Sequence, residues 1–259
     1  MLATVNGLLV GYTDEGVGMS LLFVHGFPLD RTMWSRQVGA FRTGFRVIAP
    51  DLRGFGESEA TEGPVSMSSY AEDLHGLLWH LNAGPVILAG HAMGGYIALA
   101  FASAFPREVR GLVLVSTKSG PDTSGTAAEQ RALAEHVRSA GLLDLSASLA
   151  PRMLSAWNAD GEMAASLRSI MAASRPEGII SALLGMAERP DARPALRHIQ
   201  ARTLVIAGAN DALAPLSDSE ALMMAIPGAQ LRIIPRAGHL VAWEEPESFN
   251  EALWTWLAW

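Results

Sequence analysis

Cysteine is absent from the 259-residue sequence, and this absence excludes disulfide bonds and thiolate metal sites. Basic residues are few: 19 Lys and Arg stand against 26 Asp and Glu, so the net charge is −7, with no basic stripe for nucleic-acid binding. No stretch approaches the roughly 20 consecutive apolar residues of a membrane-spanning helix. We therefore expect no nucleic-acid partner and no membrane partner.

Export signals are also missing from the first residues, which have neither the basic region nor the long apolar region of a secretory signal peptide. A cytoplasmic location is the default expectation. Apolar residues make up 49% of the chain, which suffices for one sizeable core. Nothing in the composition indicates an oligomeric state.

Apolar runs bounded by Gly or Pro alternate with helical patterns along much of the chain. Such runs are typical of parallel strands that are buried on both faces. They are Leu8–Tyr12, Ser20–Val24, Phe45–Ala49, Pro85–Ala89, Gly111–Ser116, Thr203–Ala207 and Gln230–Ile234. Helical spacing occurs in Ser68–Leu81, Ala92–Phe105 and Glu247–Trp259. This alternation predicts an α/β fold with a mostly parallel, roughly eight-stranded sheet and helices on both faces.

The segment between Ser116 and Thr203 breaks the alternation, because it contains no convincing strand. It is rich in Ala, Leu, Met and Ser, and a structureless loop of this length is uncommon in a compact domain. Helical spacing occurs in Gln130–Val137, Leu142–Ala150, Glu162–Ala173 and Ile179–Glu188. We predict that residues 121–195 form a helical cap inserted into a core domain of residues 1–120 and 196–259.

The sequence Gly90-His91-Ala92-Met93-Gly94-Gly95 lies between a predicted strand and a predicted helix. This context is that of the nucleophile elbow, whose pattern is Gly-x-Ser-x-Gly. The turn is so tight that side chains at the glycine positions would collide with the neighbouring strand and helix. Without that context, the glycines would indicate only close helix packing. Ala92 therefore occupies the position at which a serine nucleophile is expected.

Two polar residues follow later strands, and they complete the chain order nucleophile, acid, base. Asp211 comes just after Thr203–Ala207 and His239 follows Gln230–Ile234, at strand ends where α/β sheets place functional groups. Asp218 is a rival acid, but its place near the start of a helix suits compensation of the helix dipole better. The histidine spacings show no metal-binding pattern, so no metal and no cofactor are predicted.

The loop His25-Gly26-Phe27-Pro28 follows the strand Ser20–Val24. An oxyanion hole needs two backbone N–H groups directed at the developing alkoxide, and those of Phe27 and Met93 are the candidates. Each such donor contributes about 3–4 kcal/mol of transition-state stabilisation. We interpret His25 as a brace for this loop.

Together these motifs resemble the α/β-hydrolase superfamily over nearly the whole chain, and Asp51–Ser58 is similar to the family's loop after the fourth strand. Haloalkane dehalogenases and epoxide hydrolases place aspartate at the nucleophile position, commonly followed by Trp or Arg. Met93 and the two glycines after it are instead similar to the serine hydrolases. The resemblance implies a cofactor-free carboxylic ester or lactone hydrolase. C–C bond hydrolases and perhydrolases of the same fold are the alternative enzymes.

Three explanations of Ala92 remain. The first is a Ser→Ala variant of a working hydrolase, made to hold substrate or product without turnover. The second is a natural pseudoenzyme that binds a small apolar ligand, and the third is an enzyme in which His239 activates water directly. The apparent retention of acid, base, elbow glycines and oxyanion loop favours the first explanation, so we expect this chain to be catalytically inactive.

The predicted cap carries many Leu and Met side chains, most of which are expected to form its own core. The remainder should line a pocket for a small ester or lactone with an apolar part. The predicted lining residues are Leu143, Met153, Leu154 and Trp157.

Overall fold

Eight strands form one sheet in the computed structural model, which describes residues 1–258. The strands are β1 (Leu2–Val5), β2 (Leu8–Glu15), β3 (Ser20–Val24), β4 (Arg46–Pro50), β5 (Val86–His91), β6 (Val109–Val115), β7 (Arg202–Gly208) and β8 (Gln230–Ile234). Their order is β1-β2-β4-β3-β5-β6-β7-β8. The pairs β1–β2 and β2–β4 are antiparallel, and the other pairs are parallel. The predicted eight-stranded, mostly parallel sheet is confirmed.

Helices lie on both faces of this sheet. They are α1 (Ser35–Phe41), α2 (Met67–Leu81), α3 (Met93–Ala104), α4 (Ser124–Ala140), α5 (Leu143–Met153), α6 (Glu162–Ala173), α7 (Pro176–Ala187), α8 (Arg193–Leu196), α9 (Leu216–Ala225), α10 (Val241–Glu244) and α11 (Pro246–Leu257). Helices α4–α8 follow one another between β6 and β7, and the described chain has no strand there. Trp259, the last residue of the helix predicted from Glu247, lies outside the described residues. Within residues 1–258, no helix is both long enough and apolar enough to cross a membrane.

Local sequence sets the ends of the helices. Ser66 begins α2 by accepting a hydrogen bond from the backbone N–H of Ser69 at 3.0 Å, and Thr123 begins α4 in the same way through Thr126. Proline stands in the first turn of α11, where its missing N–H costs nothing. These residues therefore fix where each of the three helices begins.

Strand β1 was not predicted, because its sequence differs in kind from the other strands. Only Ala3 and Val5 of this strand are buried, and Leu2 and Thr4 are exposed. A search for continuous apolar runs therefore overlooks it. β1 pairs with β2 from Leu2 opposite Gly11 to Val5 opposite Leu8, and it forms the edge of the sheet.

Candidate active site

Ala92 stands at the sharp turn between β5 and α3, with φ 49° and ψ −110°. A non-glycine residue in such a conformation costs roughly 1–3 kcal/mol and persists only where its surroundings hold it in place. Two hydrogen bonds hold Ala92 in this conformation. In the first, the N–H of Ala92 donates to the carbonyl of Val115 at 2.9 Å. Its carbonyl accepts from the hydroxyl of Thr117 at 2.8 Å. The C-terminal end of β6 and the residues just after it therefore hold this turn in place.

Glycines flank Ala92 because other backbone segments approach too closely for a side chain. A Cβ atom at Gly90 would lie 2.2 Å from the carbonyl oxygen of Gly94. A Cβ atom at Gly94 would lie 2.5 Å from the carbonyl oxygen of Val24. Carbon and oxygen cannot approach to these distances, so the turn requires glycine at both positions.

Asp211 and His239 form a buried pair beside this turn. Nδ1 of His239 lies 2.9 Å from Oδ2 and 3.0 Å from Oδ1 of Asp211. The carboxylate also accepts backbone hydrogen bonds from Leu213 at 2.9 Å and Ala214 at 2.8 Å. Burial opposes ionisation of Asp211, but these hydrogen bonds, led by that of His239, hold its pKa below the ordinary value. Since an ionised carboxylate only accepts, Nδ1 carries the proton and Nε2 of His239 is left to accept one.

Asp218, the rival acid, lies in the first turn of α9, and among residues 1–258 it forms no hydrogen bond with His239. Within residues 1–258, Asp211 is the carboxylate that bonds the imidazole of His239.

His91 is a site residue for which the sequence indicated no role. Its Nε2–H donates to the backbone carbonyl of His239 at 2.9 Å. Burial, together with the charge of His239, lowers the pKa of His91 to about 3, so the ring is neutral at ordinary pH. The only signal in the sequence is its place directly before Ala92.

Phe27 and Met93, the predicted oxyanion residues, line the same cavity as Ala92 and His239. Within residues 1–258, neither of their backbone N–H groups is paired with a protein acceptor. His25 supports the loop of Phe27: its Nε2 accepts from the N–H of Leu52 at 2.9 Å, and Nδ1 donates to the carbonyl of Gly26 at 3.1 Å. Burial lowers the pKa of His25, which keeps this bracing ring neutral.

The cavity that contains these groups has a volume of about 260 Å³. Most of its wall is apolar, with side chains from α4, α5, α7 and the loop after Asp211. These are Leu133, Leu149, Met153, Leu183, Met186, Leu213 and Ala214. Polar groups from α4 and α5 complete the lining; they are Thr126, Glu129, Gln130 and Arg152. The cavity therefore offers a mainly apolar surface with a small number of polar groups beside it.

Three of the four predicted pocket residues do not line this cavity, although Met153 does. Leu143 and Trp157 are 74% and 64% exposed, and Leu154 is buried next to Gly238 instead. The inward face of α5 is a stripe of residues four apart, and Leu143 lies off it. The stripe is Leu145, Leu149 and Met153.

Tyr96 forms another part of the wall and is supported from behind by charged residues. The guanidinium carbon of Arg189 lies 3.9 Å from the centroid of its ring. Asp122 binds both Arg189, at 3.2 Å, and Lys118, at 2.8 Å. Burial raises the pKa of Tyr96 to about 12, so its phenol stays neutral.

Within residues 1–258, no group of three or more His, Asp or Glu side chains is placed to hold a metal ion.

Comparisons with known proteins agree with this arrangement. The family model of the alpha/beta hydrolase fold matches residues 20–246. The chain is 30% identical to 3-oxoadipate enol-lactonase 2 of Acinetobacter baylyi, covering 90% of this chain and 86% of that protein. It is 31% identical to a 2-hydroxy-6-oxononadienedioate/2-hydroxy-6-oxononatrienedioate hydrolase of Paraburkholderia phymatum, covering 95% and 90%. A thermophilic esterase from Thermogutta terrifontis is 38% identical, with a TM-score of 0.96 over 100% of this chain and 97% of that chain. The chain therefore belongs to the α/β-hydrolase fold family, and these similar proteins are hydrolases.

Proposed function

We propose that this chain is the scaffold of a carboxylic ester or lactone hydrolase in which alanine replaces the nucleophilic serine, so that it binds substrate without turning it over. The observation that carries the proposal is the Asp211–His239 pair. His239 of this pair lines one cavity with Ala92, Phe27 and Met93, and Asp211 bonds the imidazole from behind the cavity wall. Acid, base and oxyanion donors thus surround a position that lacks only a hydroxyl.

Serine at position 92 would complete an acyl-transfer mechanism. Its hydroxyl would attack the carbonyl carbon of the substrate while Nε2 of His239 takes the proton, and Asp211 would hold the imidazole in the required tautomer. The N–H groups of Phe27 and Met93 would stabilise the negative charge on the carbonyl oxygen. The alcohol leaves with the proton from His239, and water then hydrolyses the acyl-enzyme.

With Ala92 the first step has no nucleophile, and loss of the nucleophile from a serine-hydrolase triad costs about 10⁶ in turnover. The strained turn favours a Ser→Ala replacement over a natural binding protein. A φ of 49° is costly for alanine, and the methyl group of Ala92 makes no use of the position in the cavity wall that the turn creates. A binding protein would also have no need of the buried Asp211–His239 pair.

The apolar wall of the cavity supports a substrate with an apolar acyl or alcohol part. We infer that helices α4–α8 act as a cap, because residues from α4, α5 and α7 cover the position of Ala92. The similar esterase and enol-lactonase support ester or lactone hydrolysis. The relative named for hydrolysis of 2-hydroxy-6-oxononadienedioate makes C–C bond hydrolysis the second candidate.

The test is the Ala92→Ser variant, compared with the unchanged Ala92 protein as its matched control. We expect a fluorophosphonate to label the serine variant at position 92 and to leave the alanine protein unlabelled. We also expect the variant to hydrolyse p-nitrophenyl esters or lactones faster than the control by orders of magnitude, up to about 10⁶-fold.

A dienoate substrate run in parallel decides between the two candidate reactions. Preference for the dienoate over every ester and lactone would assign C–C bond hydrolysis. A folded Ala92→Ser protein that neither labels nor hydrolyses any of these compounds would overturn the proposal in favour of a ligand-binding protein.

A further inference from the structure

Glu244, at the end of α10, accepts three hydrogen bonds although it is buried. Its Oε1 accepts from the backbone N–H of Gly238 at 2.7 Å. Its Oε2 accepts from the backbone N–H of Ser155 at 2.8 Å and from the side-chain amide of Asn158 at 3.0 Å. Only 8% of the residue is exposed. All donors are N–H groups, and they come from two separate parts of the chain.

The first part is the loop of His239, the proposed base, because Gly238 directly precedes His239. The other is the α5–α6 segment (residues 154–161), which belongs to the inserted helices. The loop of His239 also touches the residue that precedes this segment, because the N–H of His239 donates to the carbonyl of Met153 at 3.1 Å. A Cβ atom at Gly238 would lie 2.5 Å from the backbone nitrogen of Ser155. Glu244 thus bridges a contact at which two backbones meet with no room for a side chain.

This position requires a carboxylate. Both oxygens of Glu244 are used as acceptors, whereas glutamine would present an NH₂ group, which only donates, to one of the backbone N–H groups. Placing a carboxylate out of water is costly unless its hydrogen bonds are made. Packing alone would be served better by an apolar side chain.

We propose that Glu244 is a positioning residue that ties the loop of His239 to the α5–α6 segment, so that the base is held in place only while the inserted helices are docked. The inference rests on the proposed function in so far as His239 is the base. The structural part of the inference is that one carboxylate couples two segments, and this part can be tested without measuring catalysis. Movement of the α5–α6 segment would then displace the backbone of His239 with it.

Amide hydrogen exchange on the unchanged Ala92 protein and its Glu244→Gln variant is the first test. We expect exchange at Gly238 and Ser155 to accelerate together by about ten-fold or more in the variant, since each amide depends on the same side chain. The matched control is Glu245→Gln, because Glu245 is the next residue and its carboxylate pairs with Arg236 at 3.3 Å near the surface. Exchange at the two amides should be unchanged in the control.

Two results would overturn the coupling. Acceleration at only one of the two amides would mean that Glu244 does not join the segments. Equal acceleration throughout the core would mean a general loss of stability. Should Glu244→Gln fail to fold, Asn158→Ala removes a single donor, and a smaller joint acceleration at Gly238 and Ser155 is then expected; no change there contradicts the coupling.

The second test adds Glu244→Gln to the Ala92→Ser protein. Because displacement of His239 affects proton transfer, we expect kcat for a small p-nitrophenyl ester to fall by about 10–100-fold, with KM changed less than three-fold. A rise in KM at constant kcat would assign Glu244 to substrate access and overturn the positioning role. If Ala92→Ser alone is inactive, the proposed function has failed, and the exchange experiment still decides whether Glu244 couples the two segments.

Discussion

The side chain of His91 donates a hydrogen bond to the backbone carbonyl of His239, with 2.9 Å between Nε2 and the oxygen. The two rings lie edge to face, with centroids 4.8 Å apart. Nδ1 of His91 has no partner among residues 1–258, so the ring is held as a neutral donor by one bond and by burial. The residue before Ala92 therefore fixes the backbone of the residue that we propose as the base, which links two parts of the site 148 residues apart.

Acid should destabilise the protein partly through His91. Its pKa falls from 6.5 to about 3 on folding, so the stabilisation is fully present above pH 6.5 and is lost as the pH falls towards 3. We expect His91 to contribute a slope of about 1.4 kcal/mol per pH unit between pH 6 and pH 4. Urea unfolding at pH 6 and at pH 4 measures this slope, which should be smaller in His91→Gln.

The control is His80→Gln, which replaces an exposed histidine in the last turn of α2. Its slope between the two pH values should equal that of the unchanged protein. Equal slopes in all three proteins would show that protonation of His91 does not limit acid stability.

The sequence predicted the sheet well where strands are buried on both faces. β3 is buried throughout, and its bounds agree with the predicted run Ser20–Val24. The bounds of β8 also agree with the predicted run Gln230–Ile234, although only Ile234 of this strand is buried. The ends of a continuous apolar run of five residues can be read from the breaks in the pattern on either side of it. β1 and the phase of α5 could not be read this way. Leu143 and Leu149 are the same residue type on one helix, and they differ only in which side of it the rest of the protein covers.

The polar contacts between distant residues of the site could not be predicted from the sequence. Asp211 and His239 could be named because each follows a strand in a fixed order. Glu244 could not, because its partner Ser155 lies 89 residues away in a segment whose docking depends on the whole fold. The role of His91 likewise follows from its contact with a backbone carbonyl, and any residue type can supply such a carbonyl.

Selectivity for acyl chain length should depend on Leu149 and not on Leu143. Both leucines lie on α5, but Leu149 lines the cavity and Leu143 is 74% exposed. In the Ala92→Ser background, we expect Leu149→Ala to change relative kcat/KM between short and long esters by about 1–3 kcal/mol. Leu143→Ala is the matched control and should leave the profile unchanged, as should Trp157→Ala. A changed profile in either control would show that the cavity extends further than its observed walls.

Gly94→Ala should destabilise the elbow. The new Cβ would lie 2.5 Å from the carbonyl oxygen of Val24 and 2.6 Å from that of His25, and backbone atoms of a buried strand end cannot move aside. We expect a loss of about 2–3 kcal/mol in the free energy of unfolding, measured in urea. Gly39→Ala is the control: Gly39 lies in α1 with nothing within 4 Å of a Cβ atom, so alanine should stabilise by about 0.5–1 kcal/mol. A Gly94→Ala protein as stable as the parent would contradict the tight turn.

Asp211→Asn in the Ala92→Ser background should separate the roles of the acid and the base. Asparagine keeps the size of Asp211, but its NH₂ group can donate to Nδ1, which drives the proton of His239 onto Nε2. The imidazole then has no lone pair towards residue 92, and we expect kcat to fall by about 10⁴, as in other triads. Asp218→Asn is the matched control, since Asp218 lies on α9 without contact to His239 in the described chain, and its kcat should be unchanged. Steady-state rates with a p-nitrophenyl ester, together with the melting temperature of each variant, distinguish loss of the tautomer from loss of the fold. If Asp218→Asn lowers kcat as much as Asp211→Asn does, the carboxylate of Asp211 is not what orients the base during the reaction.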